Sequence, residues 1–279
     1  DVGAGEYPRP TFGDLDNDGD LDILVYDSRN EFLKLFENTG NQGMPIFTER
    51  STAVLLPLDL KMDLDIDHEK SEFFPILVDL DGDGDSDFVA PLLNPYSYTY
   101  EIYLYENKLD VENQQFTEAL STHFSSMVDG ISTSIPATSK FYDLDNDGDF
   151  DMILQKCITV NQGVCSSVPD LYMNNQFKLF YYENIGSVQY PYFVDRGTTL
   201  FLDYHSWGPY GYFFIDIDGD GDGDAFIYCF IKREIHFLKN IGNSSYPVFV
   251  NQTTGNPLTN FTEIGIFGFK DYDADGDFD

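Results

Sequence analysis

The sequence predicts an all-β protein: a β-propeller of four-stranded antiparallel blades, each with an acidic loop between its first two strands. Three observations predict it. An aspartate-rich nonapeptide returns five times, a second motif keeps step with it, and between them lie period-2 runs of aromatic and β-branched residues.

The nonapeptide first appears as Asp14-Leu15-Asp16-Asn17-Asp18-Gly19-Asp20-Leu21-Asp22. Aspartate fills every odd place again in the second copy (Asp79, Asp81, Asp83, Asp85, Asp87) and in the third (Asp143, Asp145, Asp147, Asp149, Asp151). The fourth copy is Asp216, Asp218, Asp220, Asp222 and Asp224, and the fifth is Asp271, Asp273, Asp275, Asp277 and Asp279. The starts lie 65, 64, 73 and 55 residues apart, one structural unit per copy. The expected units are about 1–65, 66–130, 131–202 and 203–257, with a partial unit over 258–279, in a single propeller region spanning 1–279. Both ends share one phase of the repeat, so the expectation is a fragment of a longer array, with a four-bladed ring or a continuous array completed by neighbouring molecules as the alternatives.

The second motif is Leu35-Phe36-Glu37-Asn38-Thr39-Gly40, echoed by Leu104-Tyr105-Glu106-Asn107, Tyr181-Tyr182-Glu183-Asn184-Ile185-Gly186 and Phe237-Leu238-Lys239-Asn240-Ile241-Gly242. Pro45-Ile46-Phe47, Pro191-Tyr192-Phe193 and Pro247-Val248-Phe249 follow at matching offsets, whereas the second unit offers only Phe116. Four strands per unit are expected. The first precedes the acidic loop (73–78, 212–215) and the second follows it (21–26, 150–154, 225–230). The third carries the second motif (32–36, 102–105, 177–182, 235–238), and the fourth is the aromatic segment after it. A lone four-stranded sheet cannot bury both faces; radial packing of several such sheets covers them and leaves only short edges.

The 279 residues are 42% hydrophobic, enough for a sizeable core, and the 25 Phe and 19 Tyr argue against a disordered acidic chain. A net charge of −34 repels a phosphate backbone, so nucleic acid is excluded as a partner. With no run of 18 apolar residues, membrane insertion is not expected. Cys157 and Cys165 flank a turn-like stretch whose spacing suits a hairpin disulfide, which is expected there, and Cys229 reads as a small buried strand residue. Glycosylation sequons at Asn243, Asn251 and Asn260 favour an extracellular setting. His68, His123, His205 and His236 occupy unrelated places in the repeat, no nucleophile constellation stands out, and no enzymatic activity is expected.

In each nonapeptide, acids at positions 1, 3, 5, 7 and 9 with Gly at 6 describe a tight turn around one hard cation. Positions 1, 3 and 5 are expected to present carboxylates and position 9 to close the shell. Position 7 (Asp20, Asp85, Asp149, Asp222, Asp277) is expected to offer main-chain oxygen alone. Oxygen-only ligation points to Ca2+, up to five ions, rather than zinc or copper. Four carboxylates about 5 Å apart repel by roughly 3 kcal/mol per pair at an effective dielectric near 20, so the loops are expected to need the ion. An EF-hand requires Glu at position 12, where Val25, Ala90, Leu154 and Ile227 stand instead. Asp63, Asp65 and Asp67 lack the turn Gly and read as one polar strand face.

The run from Phe12 through Asp22 to Val25, followed by Leu35-Phe36-Glu37-Asn38-Thr39-Gly40, resembles the FG-GAP/VCBS repeat family. The resemblance extends over essentially the whole chain. It implies integrin-α-like propeller blades whose loops bind calcium through positions 1, 3, 5 and 9. It also implies extracellular or cell-surface work: adhesion or a structural scaffold, with other extracellular proteins or glycans as partners and self-association into polymers. The alternative is a lectin-like module, suggested by Tyr204, Trp207 and Tyr210; a polysaccharide-cleaving propeller is a more distant third.

Overall fold

The computed structural model describes residues 8–27, 32–40, 44–50, 75–94, 99–107, 116–117, 139–159, 175–205, 211–229, 234–243 and 246–252. All regular structure in them is β. No helix among them is long and apolar enough to cross a membrane. The chain divides into two compact units, Asp1–Pro136 with Val188–Pro191, and Ala137–Ser187 with Tyr192–Asp279.

The first unit holds two antiparallel sheets with strands in sequence order, as meandering propeller blades require. One is β1 (Pro8–Gly13), β2 (Asp22–Asp27), β3 (Phe32–Asn38) and β4 (Phe47–Arg50). The other is β5 (Ile76–Val78), β6 (Asp87–Asn94), β7 (Thr99–Asn107) and β8 (Phe116–Thr117). In the second unit β9 (Ser139–Tyr142), β10 (Asp151–Thr159), β11 (Asn175–Asn184) and β12 (Phe193–His205) form the third blade. The fourth comprises β13 (Gly211–Ile215), β14 (Asp224–Cys229), β15 (Glu234–Asn240) and β16 (Phe249–Asn251).

Each acidic loop spans the same hairpin, because position 9 pairs with the residue before position 1: Asp22 with Gly13, Asp87 with Val78, Asp151 with Tyr142 and Asp224 with Ile215. The third unit is expected to end at about residue 202, and its last strand lies across that point. Its last strand runs on to His205, since Tyr204 pairs with Phe177 and His205 with Gln176 after register shifts.

Alternation along the second strands explains why the sheets pack face to face. In β14, Ala225 and Ile227 join a buried cluster with Leu144, Ile153, Tyr181 and Tyr212 of the same unit. The intervening Phe226 faces the other way and stacks between Phe213 and Phe237, with ring centroids 5.2 and 4.8 Å away. In the first unit Leu24 and Tyr26 of β2 meet Leu77, Phe88 and Ala90 of the second blade. Val25, Ala90, Leu154 and Ile227, the position-12 residues, are at most 4% exposed, which excludes the EF-hand arrangement in these four loops.

Cys157 lies in β10 and Cys229 in β14; Cys165 lies outside the described residues, as do the fifth loop (271–279), Asp63, Asp65, Asp67, Trp207, Tyr210 and Asn260. Asn243 and Asn251 are exposed.

Candidate metal centres

The four described loops share one internal scaffold. Position 1 folds the loop over itself, its two carboxylate oxygens accepting backbone N–H bonds from residues three to five places on. Asp14 takes the N–H groups of Asp18 and Gly19, and Asp79 those of Gly82 and Gly84. Asp143 takes those of Asp147 and Gly148, and Asp216 those of Gly219, Asp220 and Gly221. Position 5 accepts the N–H of position 7 in every case, at 2.9–3.3 Å. Position 6 has φ between 89° and 103°, the left-handed region that its glycine allows. Position 4 is left-handed too: Asn17 and Asn146 at 58° and 56°, Gly82 and Gly219 at 71° and 73°. Asparagine tolerates that region better than other side chains, so the alternation of Asn and Gly at position 4 has a backbone cause.

Position 9 ties the loop to the third strand. One oxygen of Asp22, Asp87, Asp151 and Asp224 accepts the N–H of position 2, and the other accepts the N–H of the second motif's asparagine. Asp151 also accepts from the Tyr181 hydroxyl at 3.1 Å.

That asparagine is a functional residue the sequence flagged only as a landmark. The Oδ1 atoms of Asn38, Asn184 and Asn240 each accept two backbone N–H bonds that close the turn to the fourth strand. Within each unit the amide also reaches the preceding blade. Asn107 Nδ2 donates to the Leu15 carbonyl at 3.0 Å, and Asn240 Nδ2 to the Leu144 carbonyl at 3.4 Å. The signal was its invariance across four motifs; its purpose needed contacts 92 and 96 residues away.

With this scaffold in place, carboxylates converge. Oxygens of Asp14, Asp16 and Asp18 lie within 4.8 Å of one another, as do those of Asp79, Asp81 and Asp83, of Asp143, Asp145 and Asp151, and of Asp216, Asp218 and Asp220. Positions 1 and 3 recur in all four groups, position 5 in three, and position 9 in the third loop. The test of fit is the state of the remaining oxygens. Oδ1 of Asp16, Asp85, Asp145, Asp149 and Asp222 is buried without a hydrogen-bond partner. Such atoms are costly unless something satisfies them, and a hard cation does so. Position 7, expected to give main-chain oxygen alone, therefore also brings a buried carboxylate oxygen in Asp85, Asp149 and Asp222.

Electrostatics agree with the geometry. Burial, reinforced by the neighbouring aspartates, pushes the carboxyls of Asp81 and Asp145 up to about 6 and those of Asp85 and Asp149 up to about 7. Burial first, and neighbouring aspartates second, outweigh the backbone N–H bonds at Asp87 and Asp151, which rise to about 8. Groups whose charged form is this disfavoured are those a bound cation stabilises most.

Residues 79–154 match the FG-GAP-like repeat, a stretch that opens on position 1 of the second loop and closes on position 12 of the third. No curated protein matches the chain. Among solved structures it is similar to an Agrocybe aegerita lectin studied for specific recognition of non-reducing terminal N-acetylglucosamine. That likeness has 12% identity and a TM-score of 0.32 over 88% of this chain and 79% of the lectin, and carries no argument about ligand. The FG-GAP-like match and the four-stranded blades agree with the propeller class predicted from sequence.

Proposed function

We propose that this chain is a calcium-stabilised extracellular adhesion or scaffold module that works without catalysis, self-associating or binding other surface proteins through its blade rims. The observation that carries the reading is the set of buried, unpartnered carboxylate oxygens at Asp16, Asp85, Asp145, Asp149 and Asp222. Positions 1 and 3, with position 5 in the first, second and fourth loops, position 9 in the third and position 7 where its oxygen is buried, would hold the ion. Position 1 shapes the turn, and position 9 fastens the loop to the third strand. When bound, calcium neutralises carboxylates that otherwise repel one another. The exposed sequon asparagines Asn243 and Asn251 support the extracellular placement.

Support for a partner surface comes from the turns before the fourth strands. Met44 and Ile46, Tyr190 and Tyr192, and Tyr246 and Val248 are exposed at equivalent places, an unusual run of apolar side chains. Tyr190 and Tyr192, 72% and 46% exposed, also favour the second reading, a calcium-dependent carbohydrate-binding module, because tyrosine rings stack on sugar faces.

Removal of calcium by a chelator is expected to lower the melting temperature by roughly tens of degrees, as loss of several tightly bound ions would. An unchanged melting curve refutes the calcium reading. Sedimentation with and without calcium tests assembly: a monomer at every concentration counts against the scaffold. A glycan array in calcium decides the carbohydrate reading.

A further inference from the structure

We propose that Lys239 is a built-in counter-ion that makes the fourth loop the weakest of the four described metal centres. The inference rests on the reading of the loops as calcium sites. In the second motif, three repeats carry glutamate before the clamping asparagine, Glu37, Glu106 and Glu183, and the fourth carries Lys239. This place faces position 3 of its own loop. Glu37, Glu106 and Glu183 lie near enough to Asp16, Asp81 and Asp145 respectively for their charges to act on them.

In the fourth repeat the sign is reversed. Lys239 Nζ pairs with Asp218 Oδ2 and lies 3.4 Å from Asp220 Oδ2. These are positions 3 and 5, two of the three carboxylates that converge in this loop. Basic residues elsewhere are used differently: Arg50 and Arg196 pair directly with the motif glutamates Glu37 and Glu183, at 2.7 and 2.5 Å, and Arg50 acts on Asp16 of the loop only through space. Among the described residues, only the fourth loop has a lysine or arginine paired with its own aspartates.

Two further differences point the same way. Position 3 leaves a buried oxygen without a partner in the first and third loops, at Asp16 and Asp145, whereas Asp218 is exposed and paired. Position 2 is buried as Leu15, Leu80 and Leu144 but 37% exposed as Ile217, and its N–H lies 3.4 Å from the position-9 carboxylate against 3.0 Å in the others. The fourth loop is seated more shallowly and carries its own positive charge. A divalent ion entering it must displace the ammonium, which weakens binding by about two- to fivefold after solvent screening of an exposed pair.

The test is a calcium titration of the whole chain, followed by calorimetry and by native mass spectrometry at fixed free calcium. Wild type is expected to show one ion bound about two- to fivefold more weakly than those of the other three described loops. Lys239→Glu restores the residue type of the other repeats and is expected to move that ion into the tight class; Lys239→Gln is expected to move it part of the way. In calcium-free buffer the order of melting temperatures is expected to be wild type above Lys239→Gln above Lys239→Glu. Both substitutions leaving the stepwise constants unchanged while calcium still binds overturns the role of Lys239 alone. No calcium bound to the wild type overturns this inference together with the reading of the loops.

Discussion

Gly223 lies flat against the ring of Tyr142, so close that a Cβ at 223 would overlap it. The two residues hold fixed places in the repeat, Tyr142 just before the third loop and Gly223 at position 8 of the fourth. The same two places in the first unit hold Gly13 and Ser86, and there a Cβ on Gly13 would fall 2.6 Å from the Ser86 hydroxyl oxygen and 2.7 Å from Leu77 Cβ. Large against none in one unit becomes none against small in the other.

Gly223→Ala is therefore expected to destabilise the protein by about 1–3 kcal/mol through overpacking, measured by urea denaturation in calcium. Combining Gly223→Ser with Tyr142→Gly reproduces the first unit's pair and is expected to recover part of the loss. A neutral Gly223→Ala would show that the ring moves aside without cost.

Asn107→Ala removes an amide that donates to the carbonyls of Leu15 and Ser86, and leaves both without that donor in a buried setting. The expected cost is about 1–3 kcal/mol. The backbone N–H of residue 107 stays bonded to Asp87, so calcium binding is expected to survive, read by calorimetry.

Tyr181→Phe deletes one of three hydrogen bonds to Asp151 and keeps the ring in the core. A loss of about 1 kcal/mol is expected, with the number of bound ions unchanged in native mass spectrometry. Asp151→Asn, by contrast, places an amide where two backbone N–H groups need an acceptor, and is expected to cost more and to release one ion.

In metal-free protein the raised carboxyls set the sign of the pH dependence. Asp87 and Asp151 stand at about 8, against 3.8 for a carboxyl in the unfolded chain, so the folded state binds more protons across that interval. Stability without calcium is thus expected to be greatest near pH 4 and to fall as pH rises through about 8. Calcium reverses the slope, since binding requires the ionised carboxylates and is lost as pH falls. Melting temperatures at matched ionic strength, with and without calcium, test both limbs; parallel curves would contradict the assignment.

The strands and their order were legible because their signals are local. Alternation in runs such as 225–230 and glycine at position 6 each report on a few neighbouring residues, and β14 and the four loops fall where those signals put them. What escaped depends on distance along the chain. Nothing near Asn240 announces the Leu144 carbonyl, and nothing near Gly13 announces Ser86. The extension of β12 to His205 arises from irregular pairing with β11, which no periodicity encodes. Position 7 was read by its place in the turn, but burial of the Asp85 and Asp149 side chains depends on what packs over the loop. Lys239 was visible as a departure from glutamate, yet its meaning required knowing that β15 runs beside the loop that precedes β14.

The joint made by the clamping asparagine has a bearing on how such arrays grow. Its socket is a main-chain carbonyl, which every amino acid supplies, so this link accepts any newly duplicated unit without further change. Discrimination falls instead to the neighbouring steric pair, Gly13 with Ser86 or Tyr142 with Gly223, where exchanging one member alone produces a collision or a hole. Exchange of blades within a unit is therefore constrained by this steric pair in addition to the buried clusters that join the two blades.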